Sequence, residues 1–182
     1  MTEEIRNHTL DTILAFQAAA DSPTANLNPY RTGFIARPFG SGPTRFVSDQ
    51  IQAAFKRHNV RVATYEPGAG GRVISEILSQ ISSAHFGIAD ITSSNRNVLL
   101  ELGAMIAGGK RPIILRDIDD KDALPFNIAG YDCFRYTIRS GRVFILNAAS
   151  NEEILDVFLG NFIADLQRRD KAFLTAKDYV DS

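Results

Sequence analysis

The sequence predicts an α/β domain built on a mainly parallel, doubly wound sheet, and three observations carry that expectation. Short apolar runs of strand length recur along the chain. Amphipathic stretches of helical spacing alternate with them. Glycine-rich or polar loops separate each run from the helix that follows. Strands that alternate with helices in this way form right-handed βαβ crossovers, which leave the strands parallel.

The first run is Gly33 to Arg37 (Gly-Phe-Ile-Ala-Arg), stopped by Pro38. A run this apolar suits a strand buried on both faces. Gly40, Ser41, Gly42 and Pro43 make a loop, and Thr44 is placed to cap the next helix. Phe46, Val47, Ile51, Ala54 and Phe55 form that helix's apolar stripe, and Asn59 ends it. Val60 to Tyr65 alternates as a second strand. Pro67 to Gly71 is a flexible loop, and Arg72 to Ser83 is a helix with Val73, Ile74, Ile77, Leu78 and Ile81 inward. His85 to Ile91 is the third strand, Thr92 to Asn97 a polar crossover, and Val98 to Ala107 a helix closed by Gly108 and Gly109. Arg111 to Leu115 is the fourth strand. An acidic loop from Arg116 to Asn127 leads to a fifth, Tyr131 to Tyr136. Arg142 to Leu146 is a candidate for a short edge strand beyond these five. Ile154, Leu155, Phe158, Leu159, Phe162, Ile163 and Leu166 mark a closing helix.

The flanks read differently. Thr9 to Ala20 carries Leu10, Ile13, Leu14 and Phe16 at helical spacing, and Asp21 to Arg31 is a linker with Pro23 and Pro29. The expected organisation is an extra N-terminal helix and linker (1–31), the α/β domain (32–168) and a fraying tail of mixed charge (169–182).

Composition excludes several classes. The 182 residues suit one ordinary domain, with 45% hydrophobic and 23% charged residues. Twenty basic residues nearly cancel 21 acidic ones, so net charge gives no reason to expect nucleic acid or a membrane as partner. Cys133 is the sole cysteine, so no intrachain disulfide forms and a reducing compartment is expected. No apolar run approaches the roughly eighteen residues of a membrane helix. Met1 to Thr9 holds Glu3, Glu4 and Arg6 and is no secretory signal. The expectation is a cytoplasmic protein.

In an open parallel sheet, ligands bind beyond the carboxyl ends of the strands, near the switch in strand order. That rule selects the loops Pro38 to Thr44, Tyr65 to Arg72, Asp90 to Asn97 and Arg116 to Asn127. Gly40, Gly70 and Gly71 allow close approach of backbone N–H groups to an anion, and the glycines serve equally as tight turns. Arg37 and Arg72 flank these loops and are placed to pair with phosphate. Neither glycine loop has the Walker or G-x-G-x-x-G form. Glu101 stands among apolar neighbours in Asn97-Val98-Leu99-Leu100-Glu101-Leu102-Gly103. It is either an acid complementing the helix dipole or a carboxylate aimed into the pocket. Paired with Asp90 at the end of the third strand, it would have one member's pKa raised, as cleavage of a glycosidic bond requires. His85, His58 and His8 form no metal-ligand spacing, and neither Cys133 nor Ser41 sits in a nucleophile signature.

These residues also carry a resemblance. Phe34-Ile35-Ala36-Arg37-Pro38-Phe39, Gly70-Gly71-Arg72-Val73-Ile74-Ser75-Glu76-Ile77, Ile88-Ala89-Asp90-Ile91-Thr92, Asn95-Arg96-Asn97-Val98-Leu99-Leu100-Glu101-Leu102-Gly103-Ala104 and Gly109-Lys110-Arg111-Pro112-Ile113-Ile114 resemble the nucleoside 2-deoxyribosyltransferase-like and TIR-like superfamily. The similarity spans Gly33 to about Tyr136, and the block from Ala89 to Ile114 is its specific part. It implies a flavodoxin-like, five-stranded sheet and a pocket for a nucleoside, a nucleotide or NAD. It implies Glu101 as nucleophile or cation stabiliser and Asp90 as the second catalytic-site residue, holding the sugar hydroxyls or orienting the base. Arg37, Pro38, Phe39, Gly40, Gly70, Gly71, Arg72, Thr92, Asn95 and Asn97 are the implied ligand-binding set. His85 stands where the transferases carry an aspartate, and Asn95-Arg96-Asn97 where they have Asp-x-Gly. The expected function is therefore hydrolysis or transfer at the N-glycosidic bond of a nucleotide, nucleoside or NAD. No metal or cofactor is required in this expectation, NAD is one of the candidate substrates, and homo-oligomers are common in such a family. The rival expectation is a nucleotide-sensing or interaction domain without turnover.

Overall fold

The computed structural model describes residues 32–40, 42–65, 73–125, 128, 130–146 and 151–180. The elements are β1 (Thr32–Ala36), α1 (Pro43–Arg57), β2 (Arg61–Thr64), α2 (Val73–Ser83), β3 (Phe86–Asp90), a 3₁₀ turn (Thr92–Ser94), α3 (Arg96–Ala107), β4 (Pro112–Asp117), β5 (Cys133–Arg139), β6 (Arg142–Leu146), β7 (Glu152–Ile154) and α4 (Leu155–Val180). The expected N-terminal helix lies outside the described residues, as do Ser41, Gly70, Gly71 and Arg72.

The strands form one sheet in the order β2-β1-β3-β4-β5-β6-β7. The first five are parallel, and their order is compatible with a flavodoxin-like fold. The last two are antiparallel additions, so the sheet has seven strands rather than the expected five. The chain reverses between β5 and β6 through Ser140 and Gly141, at φ 49° and 70°. Two residues of positive φ make the tight hairpin turn that matches strand twist. This Ser-Gly pair is the sequence signal for the extra strand, and it also extends β5 to Arg139.

Helix ends account for the other differences. Gly42 precedes α1 and Pro43 opens it, with no side-chain cap, so Thr44 does not cap it as expected. Pro43 has no N–H to satisfy, which suits it to this first position. Asn95 caps α3, which starts at Arg96 rather than Val98. Gly108 and Gly109 close it as expected. α4 runs without interruption past Arg168, where the tail was expected to fray.

Alternation along the strands divides the core into two layers. Ile35, Phe86, Ile88, Leu115 and Tyr136 pack with α1 and α4. Phe34, Ala36, Ala89, Ile91 and Ile114 pack with α2 and α3. Each fully buried Ile, Leu or Phe contributes roughly 1.5–3 kcal/mol. β3 is buried at all of its positions, as its apolar run predicts. Among the described residues, no helix is long and apolar enough to cross a membrane.

Candidate functional site

β1 and β3 are neighbours in the sheet. The helix after β1 covers one face and the helix after β3 covers the other. The two loops therefore diverge where the strands end, and this switch in strand order is where a ligand crevice is expected in an open parallel sheet.

On the β1 side, Arg37 is buried to 6% exposure, and its Nη1 donates to the Pro38 carbonyl at 3.1 Å. Pro38 is half-buried. The Phe39 ring is exposed and lies edge-on to Tyr65 from the end of β2, with centroids 6.4 Å apart. Gly40 and Gly42 take φ of 122° and 117°, conformations that L side chains rarely adopt.

On the β3 side, Asp90 is the last residue of the strand and is 3% exposed. Its Oδ1 accepts from the Thr92 backbone N–H (3.1 Å) and from Thr92 Oγ1 (2.6 Å). Its Oδ2 accepts from the Tyr136 hydroxyl at 3.0 Å. Thr92 Oγ1 also accepts from the Asp117 N–H at 3.0 Å. Burial pushes the Asp90 pKa up, and the Thr92 and Tyr136 donors only partly offset it. Asp90 and Thr92 are thus spent in a closed joint between the ends of β3 and β4 and the middle of β5. Tyr136 is part of this joint and escaped sequence reasoning. Its signal is general: a tyrosine buried in a strand needs a partner for its hydroxyl.

Glu101 is the sixth residue of α3, in its second turn, and is 5% exposed. It shares the buried stripe of Val98, Leu102 and Met105. No hydrogen bond from a described residue reaches its carboxyl. Burial pushes its pKa up to about 7. The expected pairing with Asp90 is not formed. Asp90 alternates with Ala89 and so shares the side of Ile88 and Tyr136, while α3 lies on the opposite side. Neither carboxyl contributes to the other's shift.

Asn95 Oδ1 accepts from the N–H groups of Asn97 (3.0 Å) and Val98 (3.3 Å), so its side chain serves the helix end. The Asn97 side chain is exposed. In the acidic loop after β4, the Asp120 side chain turns inward while Asp119 and Asp122 stay exposed. Asp120 Oδ2 accepts from Arg116 Nε at 2.8 Å and from the Ser93 N–H at 2.9 Å, and its Oδ1 accepts from the Asp122 N–H at 3.1 Å. The Arg116 hydrogen bond is the main reason the Asp120 pKa falls to about 2.

Other candidates lie elsewhere. His85 Nδ1 sits 2.6 Å from Thr32 Oγ1 at the amino end of the sheet, the edge away from the crevice. Burial pushes the half-buried Cys133 thiol up, away from a reactive thiolate. Among the described residues, no cluster of His, Cys, Asp and Glu could hold a metal. A cavity of about 290 Å³ opens at the β6–β7 edge beside Asn151, Glu152, Glu153 and Phe158. Its acids are engaged, Glu152 with Arg139 and Glu153 with Asn161. No protein-family model and no curated protein matches the chain.

Proposed function

We propose that the crevice at the β1–β3 switch binds a nucleotide, nucleoside or NAD, and that Glu101 acts there on the N-glycosidic bond. The observation that carries this reading is Glu101 itself. A carboxyl buried beside the carboxyl edge of the sheet, with a pKa near 7 and no described partner, is costly as a packing element. It is also balanced between its two protonation states at neutral pH. The resemblance of the Ala89 to Ile114 block to the nucleoside 2-deoxyribosyltransferase-like and TIR-like proteins supports the same assignment.

The step is a substitution at the sugar's anomeric carbon. The C1′–N bond breaks and its electron pair leaves with the base. Positive charge spreads over C1′ and the ring oxygen, where the Glu101 carboxylate stabilises it or bonds to C1′. Water then supplies the new C1′–O bond and releases a proton. A nicotinamide base leaves neutral, and a purine or pyrimidine must take up a proton. Asp90 is a positioning residue in this scheme, because its oxygens already accept from Thr92 and Tyr136.

Charge orients the ligand. At the β3 end, the N–H groups of Thr92, Ser93, Asn97 and Val98 are already bonded to the protein's own oxygens. At the β1 end, α1 begins without a side-chain cap, beside buried Arg37. Phosphates belong there, over Pro38, Phe39 and Gly40, and the sugar belongs near Glu101. Asn97 belongs to the proposed sugar side, and Gly70, Gly71 and Arg72, which lie outside the described residues, enter the proposed ligand set from the sequence alone.

The closure of Asp90 favours a second reading, binding without turnover, since among the described residues no second acid is paired with Glu101 to protonate a leaving base. One experiment separates the two. The protein is incubated with NAD, nucleotides and deoxynucleosides, and released base is followed by chromatography. Release that Glu101→Gln abolishes while ligand binding survives supports the enzyme. Base exchange between two nucleosides marks a transferase. Calorimetric binding with no product supports the sensor, and neither binding nor product refutes both.

A further inference from the structure

We propose that Asp120, on the loop between β4 and β5, is the positioning residue that holds the turn at the head of α3, the helix carrying Glu101. The structural claim stands alone, and its consequence for catalysis rests on the function proposed for Glu101.

Three consecutive peptide units between Ile91 and Ser94 are pinned. Thr92 N–H donates to Asp90 Oδ1 at 3.1 Å, Ser93 N–H to Asp120 Oδ2 at 2.9 Å, and Ser94 N–H to the Ile91 carbonyl at 2.9 Å. Pinning the peptides on both sides of Ser93 sets its conformation. That conformation is unfavourable: Ser93 sits at φ 61° and ψ 23°, and Ser94 at φ 45°. Neither is glycine, and two successive left-handed residues need outside support. Asp90 and Ile91 belong to the same β3–α3 segment as the turn. Asp120 comes from another segment and reaches the tip of the turn.

Asp120 is built for a fixed position. Its side chain is only 7% exposed, and the Arg116 guanidinium, 11% exposed, holds the same oxygen that Ser93 uses. Arg116 also donates to the Asp122 carbonyl, which closes the loop around the pair. Beyond Ser94 the chain enters Asn95, whose side chain caps α3. The line of support therefore runs from Arg116 through Asp120 and Ser93 to the helix start. The loop first expected to face a ligand acts as a brace.

Glycine adopts left-handed φ without penalty, so it should replace the brace where a simple loop-stability role would not be replaced. Amide hydrogen exchange is measured on the full chain for the wild type, Asp120→Ala, Ser93→Gly and the double variant. Asp120→Ala is expected to speed exchange at Asn97 and Val98 at least tenfold while Ile88 and Ile114 keep their rates. The double variant is expected to recover most of that protection. Unchanged exchange in Asp120→Ala, equal acceleration across the sheet, or no recovery with Ser93→Gly would each overturn the proposal. Should Asp120→Ala fail to fold, Asp120→Glu keeps the charge beside Arg116 and displaces the oxygen from Ser93, and the same local pattern is required of it. None of these readouts needs a substrate. If the enzyme reading holds as well, Asp120→Ala lowers kcat more than it raises KM, and the double variant restores kcat.

Discussion

The Tyr136 hydroxyl donates to Asp90 Oδ2 at 3.0 Å and so joins the middle of β5 to the end of β3 across β4. Both residues are essentially buried. The bond is one of three that keep a carboxylate in the core, and burial still pushes its pKa up. Tyr136→Phe removes a donor and leaves Asp90 less satisfied. The expected cost is about 1–3 kcal/mol, read from the urea midpoint at pH 7. The Asp90 pKa should rise further in the variant, so the loss should shrink as the pH is lowered toward 4. A loss that stayed constant with pH would show that the hydroxyl acts through packing alone.

Two acids with opposite shifts give the protein an unusual pH profile. The Glu101 pKa rises from 4.5 to about 7 on folding, so the folded state binds the proton more tightly. Stability falls as pH rises from about 4.5 to 7, by about 3 kcal/mol at most. The Asp120 pKa falls from 3.8 to about 2, so its contribution is present above pH 4 and is lost between about 4 and 2. That loss is about 2 kcal/mol. Asp90 shifts in the same direction as Glu101 and adds to the upper slope. Maximum stability is expected near pH 4–5, below the usual range. Glu101→Gln should flatten the upper slope and stabilise the protein at pH 8. Denaturant titrations at pH 3, 5 and 8 check this, and equal stability of the two proteins at pH 8 would contradict it.

Much of the fold was legible in the sequence because its parallel strands are buried on both faces. Such strands appear as plain apolar runs, as in Phe34-Ile35-Ala36 and Ile88-Ala89. The hairpin after β5 was less legible, since Ser140-Gly141 is a weaker turn signal than Asn-Gly. In the site, the apolar neighbours of Glu101 left open whether it faces solvent or the interior, and its burial is seen only once α3 is packed on the sheet. Periodicity along one element could not foretell that Asp90 points to the other face, because that depends on which layer each helix joins. The inward turn of Asp120 in the β4–β5 loop was hidden for a related reason. Asp120 meets Ser93 across 27 residues of chain, and nothing local marks the pair.

Gly87 on β3 lies under Met105 of α3. A Cβ at this position would overlap the Met105 thioether. Met105 is fully buried, so its flexible chain has little room to withdraw. Gly87→Ala is therefore expected to destabilise by about 1–3 kcal/mol, checked by the denaturation midpoint. Met105→Ala in the same background should recover part of that loss. An added loss equal to that of Met105→Ala alone would mean that the two sites do not couple.

Arg37 provides the sharpest test of ligand orientation. If phosphate sits at the β1 end, the guanidinium distinguishes a nucleoside 5′-phosphate from its nucleoside, because the two differ only in the group that Arg37 would meet. A hydrogen bond to a charged group contributes about 1.5–3 kcal/mol. The wild type should therefore bind the phosphorylated form roughly ten- to a hundredfold more tightly. Arg37→Gln should erase most of that preference while leaving affinity for the nucleoside nearly unchanged. Isothermal titration of both ligands against both proteins gives the four constants needed. Equal loss for the two ligands would mean that Arg37 shapes the crevice as a buried structural cation, and a preference that survives the substitution would move the phosphate to another part of the edge.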